Sequence, residues 1–140
     1  MEWKLHYENM RLLIVEDLEE YTESIAFIAE DYFDQLSTAS NLDEAKMAFG
    51  KEVPEVAIID IRLSEEDENN KEGVELLKWI KEKAFKTKVI MISAYRDFDY
   101  AVEALNAGAE YFLKKPVKNA ELEEIIKKLV NSNGSLNEKR

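Results

Sequence analysis

Apolar positions along this chain alternate between two spacings. Leu12, Leu13, Ile14 and Val15 form a continuous apolar run, the pattern of a strand buried on both faces. Leu18, Tyr21, Ile25, Ile28 and Tyr32 then recur at intervals of three and four, which is one face of a helix. Residues 35–39 read as a short second strand. Asn41 is a predicted N-cap with Glu44 three residues on, as in a capping box. Leu42, Ala45 and Phe49 stripe the helix it starts, with Gly50 at the end. Pro54 stands before a third strand, where its missing N–H costs little. That strand is Val56, Ala57, Ile58, Ile59 and Asp60. A polar, acidic loop over 62–72 follows and ends at Gly73, and Val74, Leu77, Ile80 and Ala84 stripe a third helix. Residues 88–93 form a fourth strand. Phe98, Ala101, Val102 and Leu105 mark a fourth helix, closed by Gly108, a good left-handed C-cap residue. Residues 111–113 form a fifth strand, and Leu122, Ile125, Ile126 and Leu129 stripe a last helix.

Five strand–helix units in series predict a parallel sheet, because parallel strands need crossovers and these are right-handed. Helices then cover both faces. The fold class is α/β: a flavodoxin-like, doubly wound three-layer sandwich with strand order 2-1-3-4-5. In that order strands one and three lie side by side at the switch point, and ligands bind outside the carboxyl ends of the strands. The polar residues at those ends are therefore the candidate chemistry. Glu16 and Asp17 close the first strand, Asp60 the third and Ser93 the fourth, and Lys115 follows the fifth, directly before Pro116. Three carboxylates, a hydroxyl and an ammonium converging on one spot suit a divalent cation together with a phosphoryl group.

Composition removes other classes. A 140-residue chain predicts one domain, long enough for a substantial core. Its net charge of -11 and the lack of a basic stripe argue against direct nucleic-acid binding and against an anionic membrane surface. With no cysteine there are no disulfides, thiol catalysis or cysteine-ligated metals, which fits a reducing cytoplasm. The longest apolar runs have about five residues, far short of a membrane span of roughly 20. The single histidine, His6, leaves little room for histidine-based catalysis. Residues 1–9 are read as an N-terminal extension in which Trp3, Leu5 and Tyr7 alternate. Residues 10–131 are the domain. Residues 132–140 are a polar tail or the start of a linker.

Four motifs, in order and on the expected strands, resemble those of response regulator receiver domains of two-component systems, the superfamily of the chemotaxis regulators. Val15-Glu16-Asp17 is similar to the family's acidic pair. Ile58-Ile59-Asp60-Ile61-Arg62-Leu63 is similar to its phospho-acceptor strand. Ile92-Ser93-Ala94 matches its hydroxyl switch residue followed by a small residue. Tyr111-Phe112-Leu113-Lys114-Lys115-Pro116 matches its aromatic switch position and Lys-Pro pair. The chain departs from the family in several places, one of them the first member of the acidic pair, Glu16, a common variant. Ser64 stands nearest the usual loop proline, Glu72-Gly73 replaces Asp-Gly before the third helix, and the loop between Asp60 and Gly73 is longer than is typical.

The resemblance implies a role for each residue. Asp60 is the nucleophile that accepts a phosphoryl group from a phosphohistidine. Mg²⁺ is the cofactor, held by Asp17, Asp60 and the backbone carbonyl of Arg62, with Glu16 acting through water. Lys115 pairs with a phosphoryl oxygen, while Lys114 alternates away from the site. Ser93 bonds the phosphoryl group, Ala94 leaves room and offers its N–H, and Phe112 rotates inward. The implied partners are a sensor histidine kinase or phosphotransfer protein and a downstream output domain or protein, with homodimerisation on activation left open. The protein is then a signalling switch that catalyses only its own aspartyl phosphorylation and dephosphorylation. Two other readings compete. A receiver-like interaction module without phosphate turnover usually lacks one member of the acid–Asp–Ser–Lys set, and all are present here. A phosphatase of the haloacid dehalogenase type needs a second Asp two residues after the nucleophile, where this chain has Arg62.

Overall fold

A computed structural model describes residues 7–64, 66–67, 69–83, 85–94 and 98–132. Its five strands are β1 (Tyr7–Val15), β2 (Phe33–Ala39), β3 (Val56–Asp60), β4 (Lys88–Ser93) and β5 (Tyr111–Lys114). Its five helices are α1 (Glu19–Ala29), α2 (Leu42–Lys51), α3 (Glu72–Glu82), α4 (Phe98–Asn106) and α5 (Asn119–Ser132). Strands and helices alternate in sequence. The sheet is parallel throughout, in the order β2-β1-β3-β4-β5, which is the expected one.

Side-chain alternation along the strands sorts the core into two layers. Leu13, Val15, Ala57, Ile59, Val89 and Met91 pack on one face, against Phe49 of α2, Leu77 and Ile80 of α3 and Ala104 of α4. Leu12, Ile14, Val56, Ile58, Ile90 and Ile92 pack on the other, against Ile25 and Ile28 of α1 and Leu122 and Ile126 of α5. The central strands are apolar on both faces because helices cover both.

Several boundaries differ from the periodicity. β1 begins at Tyr7, pairing Tyr7 with Phe33, and a register shift separates that pair from the regular register that starts at Arg11. Tyr32 lies in a short 3-10 turn, Glu30–Tyr32, and not in α1. α2 runs through Gly50 to Lys51. Asn41 does cap α2, accepting from Glu44 N–H at 2.9 Å. The Glu44 carboxylate accepts from Ser40 N–H, one residue earlier than a capping box requires. Gly108, at φ 110°, follows α4 in the left-handed region.

The fourth helix corrects the expected apolar face. Ala101 and Ala104 are buried, while Val102 and Leu105 are about half exposed. α4 approaches the sheet through its alanines, and the larger side chains are left on the outer flank. Ala84, Trp3, Leu5, His6 and the tail beyond 132 lie outside the described residues. No helix among those described is long and apolar enough to cross a membrane.

Candidate functional site

Strand register assembles the site. Val15 pairs with Ile59, so Glu16 emerges level with Asp60. Asp60 pairs with Ile92, so Ser93 stands one residue further out, and Ser93 pairs with Lys114, so Lys115 follows one further still. The backbone ladder continues past the strands through Glu16 N–H to Ala39 O (3.0 Å), Ile61 N–H to Ile92 O (2.9 Å) and Lys115 N–H to Ser93 O (2.8 Å). These bonds hold the strand ends at one height. Alternation turns Glu16 and Asp60 toward the α1 and α5 side, because Val15 and Ile59 face the other layer.

The four charged groups meet there. Lys115 Nζ lies 3.0 Å from Asp60 Oδ2 and 3.0 Å from Glu16 Oε1. Glu16, Asp17 and Asp60 each offer a carboxylate oxygen within 4.8 Å of the others. Glu16 and Asp60 are buried, and Asp17 is half-buried. A cavity of about 560 Å³ beside α1 opens onto Glu16 and Asp17. The donor set is oxygen only and strongly anionic, which fits a hard divalent cation. Lys115 is paired in a cis peptide bond with Pro116.

Burial and mutual repulsion set the protonation of this cluster. Burial, followed by the neighbouring Asp60 charge, pushes the Glu16 carboxyl up to about 7, against the opposing pull of Lys115. Burial likewise raises Asp60, although Lys115 pulls it down. Burial opposes the charge on Lys115, but the Asp60 and Glu16 carboxylates outweigh it and raise the ammonium above its ordinary value. One lysine thus offsets a site that holds more negative charge than it can neutralise.

The remaining predicted residues stand on β4 and β5 and just beyond β3 and β4. Ser93 is buried, and its hydroxyl donates to the carbonyl of its neighbour Ala94 at 2.9 Å. Phe112 is half-buried and packs on the α3 and α4 layer, the side that alternation also gives Ser93. Arg62 is buried just past Asp60, and Lys114 is exposed. The long loop after β3 is closed by Asn70, whose Oδ1 accepts from both Leu63 N–H and Glu72 N–H at 3.0 Å. Glu65 and Glu68 of that loop lie outside the described residues.

Two residues named only for their place in a loop or a helix stripe also contribute to the site. Gly73 N–H donates to Ile61 O, and a Cβ at Gly73 would overlap the Asp60 carbonyl. Tyr21 belonged to the apolar stripe of α1, yet its ring centroid sits 4.2 Å from Lys115 Nζ. Helical periodicity puts a residue on the inward face of a helix and does not say whether core or a charged site lies opposite.

Comparison with known proteins agrees with this geometry. The chain is 31% identical over 118 residues to the response regulator protein PilR of Pseudomonas aeruginosa, covering 84% of this chain and 25% of that protein. It therefore spans about a quarter of that relative's length. The receiver domain of NtrX from Brucella abortus superposes with a TM-score of 0.76 at 28% identity, covering 86% of this chain and 98% of that one. A CheY-like receiver domain protein from Methanospirillum hungatei superposes at 0.74 with 30% identity, covering 89% and 96%. Residues 12–127 match the family described as response regulator receiver domain. With its parallel sheet of order 2-1-3-4-5 and an acidic cluster at the carboxyl edge, this chain belongs to the response regulator receiver domains of two-component systems.

Proposed function

We propose that this receiver accepts a phosphoryl group on Asp60 from a phosphohistidine of a sensor histidine kinase or phosphotransfer protein. One observation carries the reading. Asp60 is a buried carboxylate at the meeting point of two further carboxylates and a buried ammonium, all at the carboxyl edge of the sheet. A carboxylate oxygen of Asp60 attacks phosphorus, and the bond to the donor imidazole nitrogen breaks. The electron pair returns to that nitrogen, which takes up a proton, and an acyl phosphate remains on Asp60. Lys115 pairs with a phosphoryl oxygen and leaves its present carboxylate partners. Asp17, Asp60 and the Arg62 carbonyl would hold Mg²⁺, with Glu16 acting through water. Such an ion offsets the carboxylate repulsion and the charge of the transferring group.

The phosphoryl group replaces one carboxylate charge with about −1.5 to −2, the charge of phosphorylated side chains near pH 7, and it adds acceptor oxygens. Ser93 then turns from the Ala94 carbonyl toward a phosphoryl oxygen, with the Ala94 N–H as a second donor. Phe112 moves into the space released. The face made by α4, β5 and α5 changes shape and is read by an output domain or partner protein, with homodimerisation as one readout. The domain works in the cytoplasm as a switch, and its only chemistry is its own phosphorylation and dephosphorylation.

The test combines intact mass and amide NMR. With Mg²⁺ and a small-molecule phosphodonor, the wild type gains one phosphoryl group and Asp60→Asn gains none. Beryllofluoride shifts amides at Asp17, Asp60, Ser93, Phe112 and Lys115 in the wild type alone. Stoichiometric labelling of Asp60→Asn would place the acceptor elsewhere. An unresponsive wild type would leave a binding module.

A further inference from the structure

We propose that Tyr21 is a positioning residue for Lys115, its ring holding the ammonium in place beside Asp60 through a cation–π contact. The inference deepens the phosphoryl-acceptor reading and rests on it. The Lys115 ammonium is held from two directions. Glu16 and Asp60 approach at 3.0 Å, and the Tyr21 ring centroid lies 4.2 Å away. This distance is well inside the range of roughly 6 Å over which a ring face attracts a cation. It is also shorter than the contacts of Lys46 with Trp79 (5.4 Å) and Lys71 with Tyr100 (5.7 Å). The Lys115 side chain is only 8% exposed, so water screens the attraction little.

The need for such a contact follows from the chemistry. A lysine ends a flexible four-carbon stem, and fixing it costs side-chain entropy. Phosphoryl transfer depends on positioning and charge stabilisation, so an ammonium that wanders between Glu16 and Asp60 serves it poorly. A ring face attracts the cation without adding negative charge, whereas a further carboxylate would worsen the repulsion in this cluster. It also demands no fixed donor direction, so the ammonium stays attracted to the ring as it exchanges a carboxylate oxygen for a phosphoryl oxygen. α1 carries Tyr21 on the face that packs through Ile25 and Ile28, which fixes the ring's backbone relative to the sheet.

The test separates the ring from its volume and hydroxyl. Tyr21→Phe keeps the π face and is expected to be phosphorylated by acetyl phosphate within about twofold of wild type. Tyr21→Leu removes the π face and is expected to slow the reaction roughly tenfold, the scale of a partly desolvated cation–π contact. In a Lys115→Ala background, Tyr21→Leu is expected to add nothing, because its effect runs through the ammonium. Additive losses in that cycle, or Tyr21→Leu and Tyr21→Phe behaving alike, would overturn the proposal. A second readout does not depend on phosphorylation. The Lys115 ε-methylene protons are expected to show an upfield ring-current shift in wild type and Tyr21→Phe that disappears in Tyr21→Leu, along with increased side-chain mobility. If the wild type takes no phosphoryl group, the proposed function fails while this NMR comparison still decides the role of Tyr21. Unchanged Lys115 shifts and mobility in Tyr21→Leu would refute it.

Discussion

Gly73 is packed directly against the backbone of Asp60: a Cβ built there overlaps the Asp60 carbonyl oxygen and lies 2.8 Å from the Ile61 Cα. The first turn of α3 therefore rests on the strand end that carries Asp60, and Gly73 N–H bonds Ile61 O at 2.9 Å. The atoms in the way are backbone and cannot swing aside. Gly73→Ala is expected to destabilise the fold by about 1–3 kcal/mol, the scale of overpacking, despite the better helix propensity of alanine. Urea denaturation measures that loss. Phosphorylation of the folded fraction should also slow, because relief of the clash displaces Asp60. A neutral or stabilising substitution would show that α3 does not bear on the end of β3.

Asp60→Asn removes a charge that burial disfavours, since burial is the first cause raising this carboxyl. Lys115 keeps Glu16 as a partner. At about pH 8, without divalent cations, the variant is expected to be more stable than wild type by about 1 kcal/mol. Thermal denaturation of both proteins in chelator checks the sign. A clear loss of stability would mean that the Lys115–Asp60 pair outweighs repulsion among the carboxylates.

Glu16 makes stability depend on pH in an unusual direction for a carboxylate. Its folded value is about 7 against an ordinary 4.5, so between those limits the native state binds more protons than the unfolded chain. Stability then falls as pH rises through that window and levels off above it. Asp60, also raised, acts with the same sign. Glu44 and Glu103, both lowered, act oppositely, losing stability as pH falls below their ordinary value. The metal-free protein should therefore melt at a lower temperature near pH 7.5 than near pH 5.5. Glu16→Gln should remove much of that difference, and millimolar Mg²⁺ should reduce it. A melting temperature that rises across this range would contradict the assignment.

Lys115 and Lys114 are adjacent and should differ sharply. The Lys115 side chain is 8% exposed and serves two buried carboxylates, whereas Lys114 is exposed. Lys115→Ala leaves those carboxylates without their cation and is expected to cost about 1–3 kcal/mol near pH 8, with a smaller loss near pH 5 where Glu16 is protonated. Lys114→Ala should stay within about 0.5 kcal/mol. The structural response to beryllofluoride should weaken in the first variant and persist in the second. Equal effects would remove the distinction between them.

The chain by itself determined the elements, and with them the height of the chemistry. Continuous apolar runs ending in Glu16-Asp17, Asp60 and Ser93 mark strands buried on both faces, and a parallel sheet must bring their carboxyl ends to one edge. Local periodicity carries that much because strand and helix repeats are properties of neighbouring residues. The tertiary structure alone decided which groups touch. Whether the inward face of α1 meets core or site depends on helix rotation and on the opposing layer, so Tyr21 read as core and lies against Lys115. Val102 and Leu105 fit the helical stripe equally well, but α4 approaches the sheet through Ala101 and Ala104, whose small side chains permit close contact. The Ser93 hydroxyl follows its own backbone to the Ala94 carbonyl, an orientation that residue identity does not encode. The need for glycine at position 73 is likewise a matter of contact, because the clashing atoms belong to Asp60 and Ile61, across a loop whose closure by Asn70 no repeat predicts.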